Sequence, residues 1–163
     1  MDIHQSSIVD EGAVIGKNVV IGKFCIIDDG VVIGDNTVVK NYVELRSGTI
    51  IGESCYVDSR VSTSGNCKVG NNVTLRYDSI LARGVEIGDN TYICPRVMTN
   101  NLNEKKDGVG GAKIGANCFI GTNVVLQHGI TVVDESIVGS MSFVGKDIVE
   151  SGVYVGTPAK KIK

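Results

Sequence analysis

The chain has 163 residues, with 18 acidic and 16 basic side chains and a formal net charge of −2. That balance, with a pI near 5.7, leaves no basic footprint for nucleic acid. No apolar run is long enough to span a membrane and no signal-peptide pattern precedes the first aliphatic residue, so a cytoplasmic protein without a membrane span is expected. One domain covering 1–163 is expected at this length.

From the start of the chain an aliphatic residue recurs at every sixth position. The series runs from Ile3 through Val9, Ile15 and Ile21 to Ile93, interrupted only at Thr63 and, one step beyond Ile93, at Thr99. It resumes as Ile114, Ile120, Leu126, Val132, Val138 and Val144. A helix repeats near 3.6 and a simple strand at 2, so a period of six predicts an all-β, parallel β-helix of hexapeptide rungs. Four residues after each aliphatic stands a small or β-branched residue such as Cys25, Val43, Thr91 or Val124. Each rung therefore offers one large and one small inward side chain. With three rungs to a coil, positions eighteen apart stack. Gly16, Gly34, Gly52, Gly70 and Gly88 then share one corner, where left-handed backbone conformation is expected.

The period fails between Thr99 and Ile114, a spacing of fifteen. The segment near 100–113, rich in Asn, Lys and Gly, is predicted to be an extended loop leaving the helix. If Ile114 rejoins the glycine corner, Leu126 stacks on Thr99. Arg83, Asn101, His128 and Lys146 then form one outward column across the loop base, beside Ala82, Asn100, Gln127 and Gly145. Neighbouring strands lie about 4.8 Å apart, which brings Asn101 and His128 within reach of one ligand. An imidazole near its ordinary pKa suits a general base. His4, in the first rung, is expected to be solvated.

Cys25, Cys55, Cys67 and Cys118 fall in the small inward column and Cys94 at a corner, so free thiols are expected rather than disulfides. Two histidines exclude a three-histidine zinc site, and no metal is expected.

The rung pattern resembles the hexapeptide-repeat acyltransferases, which coil as left-handed parallel β-helices. The closing Val155-Gly156-Thr157-Pro158-Ala159-Lys160 resembles the V-x-G-x-P-A-[KR] end of sugar and nucleotide-sugar acetyltransferases. Phe143-Val144-Gly145-Lys146-Asp147-Ile148 and Ile114-Gly115-Ala116-Asn117-Cys118-Phe119-Ile120-Gly121 are similar to segments of the same branch. Gly145 and Val149 depart from its usual threonine and proline. Before the loop, Cys94-Pro95-Arg96-Val97-Met98-Thr99-Asn100-Asn101 lacks the histidine common among sugar O-acetyltransferases. It is closer to the T-N-D stretch of nucleotide amino-sugar N-acetyltransferases.

The resemblance implies a homotrimer with sites between subunits, and transfer of acetyl from acetyl-CoA to a nucleotide-linked amino-deoxysugar in surface-polysaccharide synthesis. It implies Gly121, Ser140, Lys146 and Lys160 as contacts to CoA. Asn100, Asn101, Asn103 and Arg83 would face the acceptor, with His128 and Asn101 catalytic. O-acetylation of a sugar hydroxyl with His128 as base is the alternative, and an assembly module without chemistry is a third.

Overall fold

The structure is a computed structural model describing residues 1–107 and 110–163. The chain winds as a left-handed parallel β-helix of two-residue strands, from Asp2–Ile3 to Phe143–Val144, and every third strand stacks in the same sheet. Three sheets form the faces of a prism. Sheet 1 begins with Asp2–Ile3, sheet 2 with Ile8–Val9 and sheet 3 with Val14–Ile15. Ile21 pairs with Val39 and Val39 with Val57, the eighteen-residue step expected from three rungs per coil.

The second residue of each strand points inward. Ile21, Leu45, Leu75, Ile93 and Leu126 are all buried to within 1%. Each such side chain stabilises the fold by roughly 1.5–3 kcal/mol. A rung also orders six residues at about 1–2 kcal/mol each, so no coil stands alone and stability comes from stacking.

Left-handed backbone recurs three residues after the inward aliphatic, not at the predicted glycine column. The three corners fill this position differently. After sheet 3 it is held mainly by asparagine, as at Asn18, Asn36, Asn72, Asn90 and Asn117. After sheet 2 it is mostly glycine, as at Gly30, Gly48, Gly84 and Gly129, and after sheet 1 it holds Phe24, Tyr42, Arg60, Asp78, Arg96, Asn123 and Met141. The column running from Gly16 to Gly88 serves a different need. A Cβ on Gly52 would lie 2.4 Å from the Gly70 carbonyl oxygen, so glycine there lets successive coils touch.

The return from the loop occurs in the expected phase. Ile87 pairs with Ile114 and Thr99 with Leu126, a step of twenty-seven. The excursion is narrower than the sequence suggested. Gly111 packs against the Gly84 backbone, and Ala112, fully buried, fills the small inward position. Nine residues, 102–110, are thus added between Asn101 and Gly111. Ile148, expected in the small column, instead bridges Val132, so the last coil is two residues short. Beyond it, Val153–Val155 joins sheet 1 and pairs antiparallel with Lys160–Lys161. Ala159 N–H donates to the Phe143 carbonyl, laying this hairpin over the end of the helix.

Candidate functional site

The corner between sheets 2 and 3 carries the excursion. Thr99 closes the strand before it, and its side chain replaces a lost ladder contact. In the coil below, Ser64 N–H donates to the carbonyl of Leu81; here Ala82 N–H donates instead to Thr99 Oγ1 at 2.7 Å. The hydroxyl also reaches the Ile80 carbonyl at 3.2 Å. Thr63 in the same sheet plays the same part, accepting from Arg46 N–H at 3.0 Å. The two interruptions of the aliphatic series are therefore backbone caps.

Above Thr99 the backbone register follows the expected phase. Extended past the paired residues, it sets Arg83, Asn101, His128 and Lys146 at equivalent positions of successive coils. Asn100 Nδ2 donates to Gln127 Oε1 at 3.2 Å, tying the adjacent column together across the loop base. Gly110 N–H donates to the Asn101 carbonyl at 3.0 Å, and Gly129 N–H to the Gly110 carbonyl at 2.9 Å. Gly110, at the end of the excursion, thus ties the Asn101 carbonyl to the Gly129 amide that follows His128. His128 is half-buried, and its Nδ1 is wholly buried with no hydrogen-bond partner. A buried polar atom without a partner costs about 1–3 kcal/mol, here as at Ser79 Oγ in the core.

Other predicted residues are distributed differently. Both ends of the Asn103 amide are engaged by Asp107 within the loop, through Nδ2 to Oδ1 at 2.6 Å and Oδ1 from N–H at 3.2 Å. Arg83 is exposed and has no carboxylate partner among the described residues. Lys146 and Lys160 line one cavity of about 380 Å³ under the terminal hairpin, with Phe143 and Tyr154. Gly121 and Ser140 stand at another corner, between sheets 1 and 2. There Ser140 Oγ accepts from Thr122 N–H at 3.2 Å, and a Cβ on Gly121 would meet Ser140 N at 2.5 Å. A larger hollow, about 790 Å³, lies along sheet 3 over Lys68, Glu86 and Lys113, a charged strip on the outer face away from this column.

His4 is partly buried, with Nδ1 3.0 Å from Ser6 Oγ. All five cysteines are buried and free. Burial pushes the thiols of Cys55, Cys67, Cys94 and Cys118 above their ordinary range. Raised thiol pKa values remove the thiolate needed for nucleophilic chemistry. Cys94, set apart by its corner position, is no exception. Among the described residues no helix is long and apolar enough to cross a membrane.

Residues 1–101 match the family described as GMPPB C-terminal domain, and 111–146 match bacterial transferase hexapeptide (six repeats). The unmatched residues between them are those of the excursion. The chain is 31% identical over 113 residues to galactoside O-acetyltransferase of Escherichia coli, a stretch covering 63% of this chain and 56% of that protein. The chain thus spans little more than half of that relative. Among solved structures, UDP-N-acetylglucosamine O-acyltransferase from Moraxella catarrhalis superposes with a TM-score of 0.73 at 26% identity, covering 98% of this chain and 73% of that one. The Francisella novicida UDP-N-acetylglucosamine acyltransferase gives 0.81 at 22% identity, covering 96% and 67%, a likeness of fold. Residues 1–101 are more than half of the chain, so the chain belongs to the family of the GMPPB C-terminal domain, with bacterial transferase hexapeptide repeats resuming after the excursion at 111–146.

Proposed function

We propose that the protein transfers acetyl from acetyl-CoA to the amino group of a nucleotide-linked amino-deoxysugar, in surface-polysaccharide synthesis in the cytoplasm. The observation that carries this reading is the register that sets His128 one coil above Asn101, where the excursion leaves and rejoins the repeat. The acceptor nitrogen attacks the thioester carbonyl, the carbon–sulfur bond breaks and CoA leaves as the thiolate. His128 takes the proton released by the acceptor nitrogen. Asn101 and Asn100 orient the acceptor, with Asn103 and Arg83 at its margin. Holding both partners at one corner supplies most of the rate, and donors to the developing oxyanion supply the remainder.

Acetyl-CoA is placed on the C-terminal side of His128. Lys146 and Lys160 share the cavity under the terminal hairpin and carry the charge that its phosphates need. Gly121 and Ser140 belong to a different corner, so they contact pantetheine only across sheet 2 or from a neighbouring subunit. A homotrimer provides that neighbour. Outward residues of sheet 1 are largely apolar, including Tyr56, Phe119 and Ile137, and those of sheet 2 include Ile26 and Met98. Each of these five is exposed to between 37% and 43% in the single chain. In its later strands sheet 3 instead presents Lys68, Glu86 and Lys113.

The names of the relatives favour a second reading, O-acetylation of a sugar hydroxyl with His128 as an obligatory base. The experiment that separates them is a panel of nucleotide amino sugars and plain sugars offered with acetyl-CoA, following release of free thiol. Turnover confined to hydroxyl acceptors overturns the amine reading, and no turnover with any acceptor overturns both.

A further inference from the structure

Below the loop base, at the same corner, lies a hollow of about 520 Å³. Its shape follows from small side chains in adjacent columns. Ser62 interrupts the outward face of sheet 2 between Glu44 and Ile80, while Ser64 and Ala82 follow Arg46 along the corner. Behind them Gly65, at φ +96°, is buried. The Arg83 guanidinium lies over this glycine, with Nη1 3.5 Å and the Ser47 carbonyl oxygen 2.9 Å from where its Cβ would stand. Arg83 thus turns away from His128 and into the hollow.

The charges in the hollow are not equivalent. Glu44 and Asp28 are both engaged by Arg46, the Asp28 contact measuring 3.9 Å. Arg83 has no such partner. The hydroxyls of Ser47, Ser62 and Ser64 likewise have no protein hydrogen-bond partner among the described residues, whereas Thr63 is consumed by Arg46 N–H and Thr49. One unpaired guanidinium facing three unused hydroxyls is the donor set for a tetrahedral oxyanion. A guanidinium fork matches phosphate geometry better than an ammonium does.

Resting on the acetyl-transfer reading above, we propose that this hollow binds the diphosphate of a nucleotide-linked acceptor, with Arg83, Ser62 and Ser64 as its ligands. From His128 down the column to Gly65 is three coil steps, about 14 Å at roughly 4.8 Å each. That is the length of a hexose ring followed by a diphosphate. The sugar then lies against Asn101, and the phosphates reach the hollow. Acetyl-CoA is not the source of this anion, because its cavity opens on the opposite side of the excursion, at Lys146 and Lys160.

The test is calorimetric titration of the full chain with a nucleoside diphosphate, in the absence of acetyl-CoA, with inorganic phosphate and CoA as parallel probes. The wild type is expected to bind the nucleoside diphosphate, and Arg83→Gln to weaken it at least tenfold. Arg83→Lys should fall between, keeping the charge but losing the fork. Ser62→Ala with Ser64→Ala should weaken binding several-fold, and CoA affinity should not change in any variant. Inorganic phosphate should bind more weakly, with the same dependence on Arg83. No binding by the wild type, equal binding by Arg83→Gln, or a loss of CoA affinity instead, would each overturn the proposal. Arg83-dependent binding in a protein that releases no thiol with any acceptor would leave the subsite standing and remove only the acetyl-transfer reading.

Discussion

Ala82 N–H donates to the side chain of Thr99, at 2.7 Å, at the point where the backbone ladder is disturbed by the departing loop. The coil below is therefore finished by a side chain rather than by the strand above it. This lets nine residues leave the helix without an orphaned donor in the core.

Thr99→Val should expose that dependence. The substitution keeps the shape but leaves the Ala82 N–H buried and unpaired, at about 1–3 kcal/mol. Urea denaturation should show a loss of that size, with faster hydrogen exchange at Ala82. Thr99→Ser should retain most of the stability. Wild-type stability in the valine variant would mean that another acceptor takes over.

The two corner requirements predict opposite effects of substitution. Gly52→Ala places a Cβ 2.4 Å from the Gly70 carbonyl oxygen and should destabilise by several times the roughly 1 kcal/mol that separates glycine from alanine elsewhere. Met141→Asn should stabilise by about 1 kcal/mol. Its φ is +64°, its side chain is 68% exposed, and asparagine tolerates this conformation better. Thermal melts of the two variants, moving in opposite directions, are the check.

His128→Ala should lower turnover by roughly 100- to 10,000-fold if the imidazole is the general base, and the acidic limb of the pH–rate profile should vanish. If the acceptor is an amine whose proton leaves late, the loss should be under about tenfold. Asn101→Ala should then do more damage, chiefly in KM for the acceptor. Wild-type turnover with an unaltered profile would take His128 out of the site.

The buried thiols predict alkaline sensitivity. Burial holds the folded-state pKa of Cys55, Cys67, Cys94 and Cys118 above the ordinary 9.0, so the folded chain retains protons that the unfolded chain releases. Their contribution is intact below pH 9.0 and is lost as pH rises through the folded values. Denaturation midpoints should therefore fall above that pH. Cys67→Val, matching the valines common in its column, should flatten the decline. A slope unchanged in that variant would assign the effect to other groups.

The sequence by itself determined the coil. Aliphatic residues at every sixth position cannot all be buried by any arrangement but stacked rungs. The resumption at Ile114 kept the inward phase, but a slip by a whole rung would keep it too, so the register across the loop was decided by the pairing of Ile87 with Ile114. The column of Arg83, Asn101, His128 and Lys146 followed from that register alone. What glycine was doing did not follow. Glycine answers both a positive φ and a close approach, and only the stacked backbone separates Gly52 from Gly84. Thr99 and Thr63 read as flaws in the series because a capping hydroxyl has no signature apart from the donor it meets. Ile148 kept the period in sequence, but the shortened last coil moved it to another role. Arg83 and the free serines converge only in three dimensions. They come from different coils, and the guanidinium lies over Gly65 beside the Ser47 carbonyl oxygen, a position that no spacing in the chain encodes.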